Sequence, residues 1–417
     1  MNILILSFYI LSIFSYFLLL ILPTQNQFLF SAFVLCAISF LIYKKFSSLV
    51  AVARNIPISY YVILIVYIVI GVYGMYLRWV AEPYGMWDAW AIWNLKAKSI
   101  TNEFLFGNGI NFANEYWPHR DYPLGLPIFN SSLAILFGGW SEWITYGVQI
   151  LFYIIIGFIF LLYSHSKKLH FIYLIFPLLI LSMNSEILII ASDLCAEMAL
   201  SCFLIIIYYT LIGESEKENI TGSSVLHYGM IFAAPLLIKN EGAVYTGLIL
   251  FLYLVFHFFK GKNKLSFVKL CFYVLLPSLL IAILLIFWKY QGDQLTPDDF
   301  QGNTGQLLNS EMVLTKLKLV YTYFLNFQFS KMNGLFFVMI VLGFIVNNLN
   351  YRLVSLHMLC ILIIYNLLFL FSSKDLSWHL ENSYIRIHSP LIAPVIFLGW
   401  SSVVVLLNNK SKSDSKT

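Results

Sequence analysis

Long apolar runs broken by short polar clusters dominate the pattern of this chain. Runs near 3–22, 28–43, 58–79, 144–163, 187–212, 265–288, 353–372 and 387–407 approach or reach the length of a transmembrane helix. About 20 residues are needed to cross a hydrocarbon core ~30 Å thick. Shorter or interrupted runs lie near 124–138, 169–183, 225–238, 243–259 and 334–348. The pattern predicts an all-α fold, a polytopic membrane helical bundle of about 11–13 spans. No internal repeat and no soluble domain is visible. The run Ile3–Leu22 lacks a basic start and a small-residue cleavage site, so it reads as a retained first span. The chain divides into two additional N-terminal spans over 1–57, a transmembrane core over 58–407, and a polar tail over 408–417.

Composition sharpens this picture. Hydrophobic residues make up 60% and charged residues 11%, against roughly 25% charged in soluble domains. No soluble core hides that much apolar surface, so lipid is the expected solvent. Aromatics reach 18% and gather at the ends of apolar runs, as interfacial belts do. The net charge of +5 comes largely from short loop clusters, which read as topology signals and not as a nucleic-acid surface. The five cysteines (Cys36, Cys195, Cys202, Cys271 and Cys360) all lie inside apolar runs. Cys195 and Cys202 are expected to share one helix and cannot bridge. The spacing gives neither a disulfide framework nor a zinc site.

Lysine and arginine clusters mark the cytoplasmic side: Lys44–Lys45 with Arg54, Lys167–Lys168, Lys260–Lys262–Lys264, Arg352, and the tail lysines. With these inside, the N-terminus is cytoplasmic. Segments 80–123, Asn184–Asp193, Lys239–Glu241, 289–331 and 373–386 then face outward. Two full crossings within 124–163 would put Lys167–Lys168 outside. That stretch is therefore expected to cross an odd number of times, with part of it re-entrant or flat.

The unusual polar residues collect in the outward segments. In Trp87–Lys98, Trp90, Trp93 and Ala97 fall on one helical face, which suits an amphipathic interfacial helix. Asp88 either caps that helix or serves as a reactive carboxylate. His119–Arg120–Asp121–Tyr122–Pro123 stands just before the next helix, as a polar cap or as part of a site. Asp193 and Glu197 interrupt an apolar run at i, i+4 spacing, which puts both on one face of a helix. A carboxylate there costs ~2.5–3.5 kcal/mol on insertion scales and faces a cavity or a partner. Lys239 and Glu241 either neutralise each other or face a ligand. Trp378, His379 and Arg386 mark the last outward loop, where Arg386 is a snorkelling arginine or an anion binder. Together these clusters build a cavity at one membrane face. Cations there are able to hold a lipid phosphate and carboxylates to act as bases.

On these residues the chain resembles the GT-C superfamily of membrane glycosyltransferases, and within it bacterial relatives of dolichyl-phosphate-mannose protein mannosyltransferases. The carrying residues are Trp87–Asp88–Ala89–Trp90 through Lys98, His119–Pro123, Asp193, Lys239–Gly242, and Trp378–His379 through Arg386. They cover the chain from about residue 58 to 407. The resemblance implies a polyprenyl-phosphate-linked sugar as donor, an extracytoplasmic acceptor that is a lipid, glycan or protein, and a multi-pass protein of the bacterial inner membrane. It also implies an acidic base after the first core span, a position that Asp88 matches. The family's paired carboxylates are not adjacent here, so Asp121 and Asp193 remain candidates for the second acid. Where relatives often carry His-Pro-Pro, this chain has Asp121–Tyr122–Pro123, which places it in a side branch.

Chemical reasoning gives the same roles. An acceptor hydroxyl attacks the anomeric carbon, a carboxylate removes its proton, and the departing phosphate needs positive charge. Lys239, Arg386, His379 and Lys96 are the candidates for that charge. Trp87, Trp90, His119, Tyr122, Glu241 and Trp378 are candidates for substrate contact. A single displacement inverts the anomeric centre. No nucleotide-binding motif appears. No cofactor is assigned, and a divalent metal requirement stays open. Two other classes compete: an O-antigen polymerase or ligase, and a transporter of lipid-linked sugars.

Overall fold

The computed structural model describes residues 54–106, 118–119, 121–214, 222–259, 264–291, 310–327, 334–372 and 375–414. Expectations for the first two spans, for Cys36, Lys44–Lys45, Lys260–Lys262 and Arg120, and for most of 289–309 fall outside these residues. Every regular element among the described residues is helical. Hydrocarbon offers no partner for backbone N–H and C=O groups, and a helix satisfies them within the segment.

The order is α1 (Ile58–Ala81), a π-helical turn (Ala89–Trp93), α2 (Asn94–Phe106), α3 (Gly125–Leu136), α4 (Glu142–Ser166), α5 (Ile172–Met183), α6 (Ser185–Ser192), α7 (Glu197–Glu214) and α8 (Gly222–Ala233). There follow a 3₁₀ turn (Ala234–Leu237), α9 (Glu241–Phe259), α10 (Lys264–Gln291), α11 (Ser310–Asn326), α12 (Leu335–Ile345), α13 (Leu349–Leu368), α14 (Leu376–His388) and α15 (Ile392–Asp414). The last helix continues into the segment expected as a polar tail.

Six helices among the described residues are long and apolar enough to cross a membrane, or seven crossings if the bent pair α5–α6 is one. These are Ile58–Ala81, Glu142–Ser166, Glu241–Phe259, Phe267–Phe287, Leu349–Phe371 and Leu376–Asn408. The 11–13 spans expected for the whole chain also counted 3–22 and 28–43 and several shorter runs. Those shorter runs form helices of the lengths their apolar stretches allow. Twelve-residue α3 reaches only about 18 Å at 1.5 Å per residue, too short to cross alone, whereas twenty-five-residue α4 is long enough.

One expected span breaks. The run 187–212 was expected as a single helix, but α6 ends at Ser192 and α7 starts at Glu197. Leu194 between them has φ +58°, a left-handed conformation that costs a non-glycine residue energy. Asp193 and Glu197 therefore do not share a helical face. The α5–α6 pair also bends by 61°.

Lipid-facing and protein-facing surfaces separate cleanly. Val62, Ile65, Val66 and Val69 of α1, and Phe272, Leu279, Ile283 and Ile286 of α10, are exposed. Such continuous apolar surface marks contact with a membrane. Inside, tyrosines tie the helices together. Tyr67 stacks on Tyr153 at 4.3 Å between centroids and donates to its carbonyl at 3.1 Å. Tyr208 meets His357 Nδ1 at 2.7 Å while His357 Nε2 meets the Tyr245 carbonyl at 3.0 Å, joining α7, α13 and α9. Away from water such bonds contribute about 0.6–2 kcal/mol each.

The two ends of the bundle differ in charge. Tyr60 at the start of α1 bonds the Leu169 carbonyl next to Lys167–Lys168. Asn350, beside Arg352, bonds the Leu211 carbonyl near the end of α7. The opposite ends of α1 and α7 carry Arg78 and Glu197, where Asp88, Lys239 and Arg386 also meet.

Candidate active site

Segments distant in sequence converge at that second end through close backbone contacts. Pro235 is the second residue of the 3₁₀ turn after α8, and the chain turns sharply through Lys239–Asn240 into α9. Gly242 makes the turn fit: a Cβ there would lie 1.9 Å from the Pro235 carbonyl oxygen. Gly125 at the start of α3 is equally close to this turn, since its Cβ would lie 2.2 Å from the Leu237 carbonyl oxygen. This contact seats the 121–124 corner against the Lys239 turn. Asn240 Nδ2 donates to Asp121 across it.

A cavity of about 710 Å³ opens between these pieces. That lies within the roughly 300–1,000 Å³ typical of small-molecule sites. Trp87, Asp88, His119, Asp121, Tyr122, Lys239, Glu241, Trp378, His379 and Arg386 all line it. Val244, Leu368, Phe369 and Ile387 form its apolar wall. Trp87 and Trp378 are half exposed at its edge.

The floor is an alternating chain of acids and bases. Glu241 Oε1 lies 2.8 Å from Lys239 Nζ, which lies 3.1 Å from Glu197 Oε1. That same oxygen lies 2.9 Å from an Arg386 Nη2, and Arg386 Nη2 lies 2.6 Å from Asp88 Oδ2. The charges come from α7, the α8–α9 turn, α14 and the segment before the π turn. Glu197 and Lys239 are nearly fully buried. In that low-dielectric setting each charge depends on its partners.

Several expectations change. Asp88 stands at the N-cap position of the π turn but makes no side-chain capping bond; its carboxylate goes to Arg386 instead. Trp90 and Trp93 do not share a face. The wider π turn between them leaves Trp90 about half exposed outside the cavity and Trp93 fully buried. Asp193, a candidate second acid, also lies off the cavity wall. It pairs with Arg78 at 2.9 Å and borders a separate 30 Å³ space with Glu186, Glu197 and Arg386.

Lys96, a candidate phosphate ligand, is likewise turned away from the cavity. Its Nζ donates to the His119 carbonyl at 2.6 Å and sits 5.9 Å above the Tyr122 ring. Tyr122 is stacked between His119, at 5.0 Å, and Trp93, at 5.5 Å. Lys96 thus pins the corner whose His119 adopts φ +49°. Burial lowers its pKa to about 7, against the opposing pull of Asp121. Burial also pushes the Tyr122 phenol up.

A pH prediction follows. Between pH 7 and about 10.4 the unfolded chain keeps the Lys96 proton and the folded chain does not, so this lysine's contribution makes stability rise with pH. The melting temperature of wild type relative to Lys96→Met, measured in mild detergent, is expected to increase from pH 7 to pH 10. A constant difference would contradict a depressed Lys96.

Arg78, Asn240, Tyr365, Asn382 and Ser383 belong to the site or its support but were not among the sequence candidates, and Glu197 was read only as a carboxylate facing a cavity or a partner. Two had a signal. Arg78 is a cation near the end of an apolar span that the positive-inside pattern assigns to the exterior. Glu197 is a carboxylate inside an apolar run.

His379 Nδ1 is bonded to Ser372 Oγ at 2.6 Å. Among the described residues no group of three or more His, Cys, Asp or Glu side chains is arranged to hold a metal ion. What the cavity offers is a carboxylate beside a guanidinium and an ammonium under an apolar roof. That is the equipment to deprotonate a hydroxyl and receive an anion.

No protein-family model, no curated protein and no solved structure matches this chain.

Proposed function

We propose that this chain is a membrane glycosyltransferase that moves a sugar from a polyprenyl-phosphate donor to an acceptor outside the cytoplasm, with inversion. The observation that carries the reading is the 710 Å³ cavity lined by Asp88, Lys239 and Arg386 together with apolar residues. A lipid phosphate needs both surfaces: cations for its head and an apolar wall for its first prenyl units. The chemistry assigns each residue a task. Asp88 takes the proton of the attacking hydroxyl. Arg386 and Lys239 hold the charge that develops on the leaving phosphate. Trp87, Trp378 and His119 supply flat faces suited to a sugar ring, Tyr122 backs His119, and Glu241 and Asp121 supply acceptors for its hydroxyls.

The charge asymmetry supports an outward-facing site in a bacterial inner membrane. Lys167, Lys168 and Arg352 lie at the end of the bundle opposite the cavity, and such clusters favour the cytoplasm. Sugar nucleotides, which are cytoplasmic, then become poor donors.

The test is a comparison of envelope glycans by mass spectrometry from cells with and without the intact chain. Loss of one sugar mass from one glycan class is expected; identical profiles would end the proposal. A second expectation concerns Arg386→Ala. The apparent KM for the lipid donor is expected to rise by about tenfold or more, as for loss of a charged hydrogen bond. The KM for the acceptor should stay within about twofold. Equal effects on both would remove Arg386 from donor binding.

A further inference from the structure

We infer that donor phosphate binding itself releases Asp88, by taking Arg386 away from it, so that the base is free only when a donor is in place. This rests on the donor reading above. The starting point is a conflict in the geometry. Asp88 is the carboxylate placed to accept the acceptor's proton, yet its Oδ2 accepts from Arg386 Nη2 at 2.6 Å. Arg386 is also the cation placed to hold phosphate, yet the same Nη2 donates to Glu197 Oε1 at 2.9 Å. In the resting site the base and the phosphate ligand therefore occupy each other.

An incoming anion cannot simply add to this arrangement. Asp88, Glu197 and Glu241 carry three negative charges against the two positive charges of Lys239 and Arg386. Like charges held this close repel strongly at the effective dielectric near a protein surface. One carboxylate has to leave Arg386, and the surroundings decide which. Glu197 has 2% side-chain exposure and is held by Lys239 on the same oxygen. Asp88 has 17% side-chain exposure and pairs, among the described residues, with Arg386 alone. It makes no capping bond that would hold it in place. It also lines the large cavity, so it has room to turn. Asp88 is the carboxylate that yields.

Exchange then sets the order of events. The phosphate takes the Arg386 guanidinium, and Asp88 turns toward the acceptor hydroxyl. The hydroxyl proton passes to Asp88, the acceptor oxygen bonds to the anomeric carbon, and the bond from that carbon to the phosphate oxygen breaks. Its electron pair stays on the phosphate, whose added charge lies against Arg386. An acceptor arriving first meets a base that is still engaged, which favours donor-first binding.

The experiment measures binding of undecaprenyl phosphate to the full chain in phosphatidylcholine nanodiscs, for wild type, Asp88→Asn and Glu241→Gln. Both variants remove one negative charge from the same cavity, but only Asp88 competes for Arg386. Asp88→Asn is expected to tighten binding about tenfold, within the usual range for coupled sites, and Glu241→Gln by no more than about threefold. Equal tightening in the two variants would mean charge acting through space, and would overturn the exchange while leaving the donor reading intact. Unchanged affinity in Asp88→Asn would overturn it as well. Failure of wild type to bind undecaprenyl phosphate at all would remove the donor reading itself. If Asp88→Asn aggregates, Asp88→Ser provides the same comparison.

Discussion

Asp88→Asn is expected to lower sugar transfer by at least about two orders of magnitude, the range associated with a general base, while insertion and melting temperature stay close to wild type. Asparagine has nearly the same shape, and its amide oxygen can still accept from Arg386, so the packing around the π turn has no reason to change. What disappears is the anionic oxygen that takes a proton. The carboxylate lines the cavity and is within 2.6 Å of a cation suited to phosphate, so the loss should appear in kcat rather than in the KM of the acceptor. The matched control is Asp193→Asn. Asp193 pairs with Arg78 and borders a different space, so its effect on transfer should be much smaller. Retained activity in Asp88→Asn, or an equal loss in Asp193→Asn, would take the base role away from Asp88.

Glu197→Ala is expected to cost about 3–5 kcal/mol of stability, the usual result of removing one partner from a buried ion pair. One oxygen of Glu197 receives both Lys239, at 3.1 Å, and Arg386, at 2.9 Å. Without it two cations face each other across an apolar void at the start of α7. Glu241 and Asp88 remain to compensate, but each already holds its own cation. Glu197→Gln keeps the volume and one acceptor, so its cost should be smaller. Thermal unfolding in mild detergent distinguishes these variants. A melting temperature unchanged in Glu197→Ala would mean that solvent, and not Glu197, neutralises this floor, and the account of the buried network would fail.

These two variants divide the site by task. Asp88 sits at the edge with limited exposure, where a side chain can move and react. Glu197 sits beneath it, shared by two cations, where it holds their positions. Strained backbone lies on both sides of the arrangement: His119 and Leu194 are left-handed without being glycine. Such strain persists only where surrounding contacts enforce it. Lys96 enforces it at His119 through the carbonyl bond, and Gln149 Nε2 holds the Cys195 carbonyl at 2.7 Å just after Leu194.

Hydrophobic runs alone determined that this chain is helical and built for lipid, because hydrocarbon leaves the backbone few other ways to bond itself. They also marked most helices to within a few residues, as for Ile58–Ala81 and Glu142–Ser166. The price of placing charge in that background made Asp88, Asp121, Lys239, Glu241 and Arg386 legible as candidates before any fold was known. Which charges meet was decided only in three dimensions. Helical spacing put Asp193 beside Glu197, but the break at Leu194 sent one to Arg78 and left the other to bridge Lys239 and Arg386. Spacing likewise put Trp90 with Trp93, until a π turn separated them, and the charge of Lys96 suggested a phosphate ligand, until a backbone carbonyl claimed it. Periodicity describes one helix at a time, whereas an ion pair between residues 298 positions apart, such as Arg386 with Asp88, depends on how separate helices pack.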